Sequence, residues 1–273
     1  MKKAIAATAG IVLMLAAIPA LAGVVITQHE TVQGTPMGAS SAPPKEREQT
    51  IYVQGDKQRI EGGNHTVIID LGSGQMYFLE PAQKSYVQLP YPPSGPMAKM
   101  LAQSAGAMNF KKESTTRKIA GYTCQDYTAT TTSMGGDVTM VECFSKTAPG
   151  AREYSDFMKA TMEKFKSSGV QPSGDVPDGV PLASDATMKM NKINIPGLSP
   201  DQQAKLQKMM ANRKPITTQT VVIKIVSQKI AADQFKVPAG YTKRELPAPG
   251  SHGMMGGPRP APGGASGAPP AAH

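Results

Sequence analysis

Short runs of alternating apolar and polar residues recur about every ten positions from residue 24 onward, and this period-two pattern predicts β-strands over 24–32, 50–54, 57–61, 65–71, 75–80 and 84–89. The breaks between the runs carry turn chemistry. Gly55-Asp56, Gly62-Gly63-Asn64 and Gly72-Ser73-Gly74 supply the positive φ that tight antiparallel connections need. An antiparallel meander follows. Two longer strands are expected over 122–132 and 138–146, joined by Met134-Gly135-Gly136-Asp137. Further on, 216–230 places Val221, Ile223 and Ile225 on one face, and 235–243 is expected to close the sheet. Strand does not alternate with crossover helix, which disfavours a parallel α/β fold.

Helical periodicity interrupts the strands three times. The segment 96–105 puts Met97, Met100 and Leu101 at i, i+3, i+4. The segment 151–166 puts Tyr154, Phe157, Met158, Met162 and Phe165 on one stripe. The third helix begins at Ser199-Pro200-Asp201-Gln202, a capping box with proline at the first helical position, and its apolar side is Leu206, Met209 and Met210. The Pro-punctuated stretch 170–181 reads as a mobile loop. The stretch 247–273 holds 14 glycines and prolines, cannot bury a core, and reads as a disordered tail.

The first 22 residues read as a targeting segment. Lys2 and Lys3 precede an uncharged apolar run over 4–18, and Ala20-Leu21-Ala22 is a small-residue cleavage signature, so a signal peptide cut between Ala22 and Gly23 is expected. The apolar run is shorter than the ~20 residues that span a bilayer, so the mature chain is expected not to span a membrane and to be periplasmic or secreted. One domain over 23–246 remains. Export to an oxidising compartment makes the only two cysteines, Cys124 and Cys143, a disulfide pair, since a redox site prefers Cys-x-x-Cys and a zinc site needs four ligands.

These residues carry a resemblance. The run 50–61, then 67–71, 75–81 and 84–86, with Ile119-Ala120-Gly121-Tyr122-Thr123-Cys124 and the closing Phe235-Lys236-Val237-Pro238-Ala239-Gly240-Tyr241, resembles an uncharacterised family of exported bacterial proteins with domains of unknown function. The resemblance implies a fold similar to the lipoprotein carriers typified by LolA and LolB. That fold is α+β: a strongly curved antiparallel half-barrel with amphipathic helices over its concave face, where acyl chains are accepted in those relatives.

Chemistry adds little that is catalytic. His29 and His65 stand in no metal or nucleophile motif, no Gly-x-Ser-x-Gly elbow or phosphate loop is present, and Asp70 and Glu80 fall at strand ends where carboxylates are usually just solvated. A non-enzyme without cofactor or metal site is expected. His252, Met254 and Met255 are soft ligands of the kind copper takes, in a flexible tail that gives them no geometry. Asn64-His65-Thr66 matches a glycosylation acceptor but serves a turn. Seventeen methionines against six phenylalanines and no tryptophan are unusual. Methionine can line a surface that repacks around varied ligands, or simply fill a core poor in aromatics.

The reading that results is a non-catalytic binding or carrier protein for an apolar, acyl-chain-like ligand, lined by Met97, Met100, Leu101, Tyr154, Phe157, Met158, Met162, Phe165 and Met209. The alternative is an envelope scaffold or partner-binding module with a filled core. The chain carries +9 in full and about +7 without Lys2 and Lys3. An anionic envelope surface is therefore an expected partner and nucleic acid is not, although the basic cluster Lys111, Lys112, Arg117 and Lys118 suits a solvated strand face. Oligomeric state is not legible.

Overall fold

The computed structural model describes residues 22–34, 43–95, 109–133, 136–168, 174–190, 199–211 and 214–245. Residues 1–21 of the expected signal peptide, the expected helix at 96–105 with Met97, Met100 and Leu101, and the expected tail at 247–273 lie outside them. So do the side chains of Leu206, Met209 and Met210.

The described strands form one large, mostly antiparallel sheet that stays open. In chain order they are β1 (Gly23–Gln33), β2 (Lys45–Gln54), β3 (Lys57–Gly62), β4 (His65–Asp70), β5 (Gln75–Glu80), β6 (Ser85–Pro90), β7 (Asn109–Ile119), β8 (Tyr122–Ser133), β9 (Gly136–Ser145), β10 (Val180–Lys189), β11 (Ile216–Gln228) and β12 (Thr242–Lys243). Their lateral order is β12-β6-β5-β4-β3-β2-β1-β11-β10-β9-β8-β7, so β1 and β11 join two consecutive meanders. The sheet curls at its β7 end. Arg117 on β7 reaches Asp185 on β10, three strands away, at 3.2 Å.

Among the described residues two α-helices accompany the sheet, α1 (Ala151–Ser167) and α2 (Pro200–Ala211). The capping box of α2 forms as its sequence dictates: the Gln202 N–H donates to Ser199 Oγ at 3.3 Å and the Ser199 N–H to Gln202 Oε1 at 3.0 Å.

Register places Val24, Ile26, Ile51, Val53, Val67, Ile69 and Met76 on one face, where with the buried Phe157 of α1 they make the main core. Each fully buried aliphatic side chain contributes about 1.5–3 kcal/mol. Ile68 and Leu79 point to the other face. There the 3₁₀ turn Ala232–Phe235 packs against β3 and β4, with Phe235 buried.

Several expectations need correction. The stripe Val221, Ile223, Ile225 does not share a face. Thr27 pairs with Lys224 and Gln28 with Val222, so Ile223 is an extra residue in a bulge. The bulge turns Val222 and Ile225 inward and leaves Val221 and Ile223 43% and 54% exposed. β2 begins at Lys45, five residues early, because β1 is long enough to pair with it down to Val32. One strand was expected only as a solvated face around residues 111–118, without bounds, and one was not anticipated. β7 is a sheet edge with exposed lysines and no apolar alternation, a pattern that protects edges. β10 takes in Val180 and Pro181 from the expected loop, and the register shift between Pro181 and Ala183 accommodates the proline. The closing segment 235–243 contributes only Thr242–Lys243. These pair in parallel with β6, at the sheet edge opposite β7.

Cys124 and Cys143 are joined in a disulfide with Cα atoms 5.2 Å apart. Cys143 sits opposite Asp126, two positions from Cys124, so the bridge staples β8 to β9 diagonally. Among the described residues no helix is long and apolar enough to cross a membrane.

Candidate functional site

Helix α1 starts where the chain can approach β1 closely. Gly150 is left-handed at φ 71, and a Cβ there would lie 2.3 Å from Val24 Cβ, so only glycine fits. In the first turn Glu153 accepts a hydrogen bond from the Gly55 N–H of the β2–β3 turn, tying the helix across the sheet end. At 3.6 residues per turn the predicted stripe is wide: Met162 lies about 140° round the helix from Phe157. The stripe divides accordingly.

The inner flank closes on the sheet. Phe157 is 2% exposed within the main core. Phe165 meets Tyr91 edge-on at 5.4 Å. Tyr154 packs against the core beside Glu142 of β9. Burial pushes the Glu142 carboxyl up to about 7, opposed by the Ser184 hydroxyl, which donates to it at 3.5 Å. Burial, and then the Glu142 charge, raise the Tyr154 phenol well above its ordinary range.

The outer flank stays open. Met158 and Met162, one turn apart, line a cleft of about 440 Å³ between α1 and the segment 174–179, with Val176 and Pro177 opposite and Lys159, Glu163, Lys166 and Asp175 around the rim. Two contacts set its width. The Gly179 N–H donates to Ser155 Oγ at 2.7 Å, and the Ser155 hydroxyl donates to the Gly179 carbonyl at 3.2 Å. Lys159 Nζ lies 2.8 Å from Asp178 Oδ1, with Lys146 Nζ 3.9 Å from Oδ2. Lys159 holds the Asp178 carboxyl below its ordinary range, and Asp178 raises Lys159 in return.

Five of the residues expected to contact ligand are therefore described, and they fall on two sides of one helix. Met158 and Met162 reach the cleft, Met158 also packing against the core; Tyr154 and Phe157 face the sheet and Phe165 meets Tyr91. Met97, Met100, Leu101 and the Met209 side chain lie outside the described residues. Sequence reasoning passed over Ser155, Lys159, Asp178 and Gly179. Their signal was present: Ser155 and Lys159 flank Met158 and Met162 at helical spacing, and Asp178-Gly179 ends the Pro-punctuated stretch.

Residues 37–168 match a domain of unknown function (DUF4412). The match runs from the segment before β2 to the last turn of α1, so the helix wall of the cleft lies inside it and the 174–179 wall outside. No curated protein matches the chain. Among the described residues no group of three or more His, Cys, Asp or Glu side chains is placed to hold a metal ion.

Proposed function

We propose that this chain is an exported, non-catalytic binding protein that holds a ligand with an apolar chain in the cleft between α1 and residues 174–179. One observation carries the reading: Met158 and Met162 stand side by side at the edge of the helix stripe and line a cleft, Met158 from the side that packs against the core and Met162 beyond it. Unbranched, polarizable side chains suit a chain of variable shape. The volume lies within the ~300–1,000 Å³ usual for small-molecule sites. The lipoprotein-carrier resemblance supports the same ligand class. The predicted leader and the disulfide support an extracytoplasmic location.

Native mass spectrometry after gentle purification tests the proposal. A lipid-mass adduct on the wild type, lost in Met162→Asp with the melting temperature retained, is expected, because the new carboxylate would meet an apolar chain without a partner. A bare mass in both proteins favours the scaffold reading, which the filled inner flank around Phe157 would then explain.

A further inference from the structure

The cleft continues past the Ser155–Gly179 contact into a second, shallower depression of about 300 Å³. It shares Ser155, Lys159, Asp178 and Gly179 with the first, and Lys146, Arg152 and Asp156 complete its charged lining. A compartment that holds the two methionines and a compartment with an excess of basic side chains thus adjoin, with the Lys159–Asp178 pair between them. Arg152 reaches Asp156 at only 3.6 Å on an exposed helix face, and Lys146 is a loose 3.9 Å from Asp178. Lys146, Arg152 and Lys159 outnumber Asp156 and Asp178, so the depression is net cationic. The Asp178 carboxylate already sits between two lysines, which demonstrates that this arrangement accepts an anionic oxygen group.

We infer that the second depression holds the headgroup of the ligand, that this headgroup is a carboxylate or phosphate, and that Asp178 is its built-in competitor. The inference rests on the binding reading above and adds the ligand's polar end: an anionic amphiphile, its chain along Met158 and Met162 and its head among Lys146, Arg152 and Lys159. When the head arrives, the lysines exchange one carboxylate for another anion, so binding releases the Asp178 tether of the 174–179 segment. Because these groups are exposed, the attraction weakens as ionic strength rises.

Titrations with dodecanoate, dodecyl phosphate, 1-monododecanoylglycerol and inorganic phosphate test this, each against the wild type, a Lys146→Gln/Arg152→Gln double variant and Asp178→Asn, with thermal melts to verify folding. The wild type should bind both anionic probes about fivefold tighter than the neutral glyceride, the effect of one charge contact in water. The double variant should erase that preference. Asp178→Asn should tighten the anionic probes by a similar factor and leave the glyceride unchanged. Equal binding of glyceride and anionic probes by the wild type, or no gain in Asp178→Asn, overturns the headgroup assignment while leaving the chain-binding cleft in place. Inorganic phosphate binding as tightly as dodecyl phosphate overturns it too, since the depression would then serve a free anion. Failure of every probe overturns the binding reading and this inference with it.

Discussion

The two flanks of α1 use similar apolar side chains and end in opposite states. On the inner flank Phe157 shares a core with Val24, Ile26 and Val53 and is sealed; on the outer flank Met162, with the core-packed Met158 beside it, borders an open cleft against a segment held by one hydroxyl and by the ion pairs of Asp178 with Lys159 and Lys146. The difference is partner stiffness. A sheet face paired on both sides cannot move without breaking its ladders, whereas a tethered loop can. One helix can thus be structural on one side and functional on the other.

The largest expected effect breaks the inner flank. Phe157→Ala should cost about 3–5 kcal/mol, read from the denaturant midpoint, because the surrounding strands cannot collapse into the void. A loss below about 1 kcal/mol would mean that the inner flank is as adaptable as the outer one.

The disulfide tests whether the core extends into the β8–β9 hairpin, since Cys124 and Cys143 are part of the same buried cluster. Replacing both by serine should cost about 2–4 kcal/mol, and thiol labelling without reductant should find no free thiol in the wild type.

Glu142 sharpens the comparison through pH. Its carboxyl is held at about 7 in the fold against an ordinary 4.5. Between those values the folded state keeps a proton that the unfolded chain has lost. The stabilisation is therefore complete below the ordinary value and is lost as pH rises through about 7. Wild type should lose about 1–3 kcal/mol relative to Glu142→Gln between roughly pH 5 and pH 8, a figure reduced from the full shift because the group is partly exposed. Parallel stability curves for the two proteins would contradict the buried placement.

The smallest effect concerns the C-terminal stretch. A chain ending at Leu246 should melt within about a degree or two of the full chain, because a Gly/Pro-rich segment without apolar periodicity adds little burial.

Much of this architecture was legible before any coordinates. The meander β3–β6 was readable because each strand has one face toward a core and turn chemistry at its end, glycines after β3 and β4 and a proline after β5, so period and punctuation agree. β7 was readable only through its basic strand face and not in its bounds, because an edge strand needs no apolar alternation, and β10 was not readable, because a strand containing proline imitates a loop. The face of β11 was misassigned because a bulge at Ile223 shifts the period by one residue, and a one-residue shift exchanges inside for outside. The candidate site was half legible. The methionines were visible on the helix, but the stripe was too wide to reveal that its margin faces away from the sheet. Asp178 and Gly179 acquire meaning only when the loop returns to Lys159 and Ser155 across 19 and 24 residues of sequence.

A titration of a fluorescent fatty acid into wild type, Met162→Asp and Phe157→Ala addresses the central claim most directly, because it sets the outer flank against the inner one in a single assay. Wild type should bind with micromolar affinity, about 8 kcal/mol. Met162→Asp should lose the ligand while keeping a cooperative melt, and Phe157→Ala should keep binding under conditions where it remains folded. Wild type that binds no probe, or Met162→Asp that unfolds before it loses ligand, would place Met162 in the core and contradict the account.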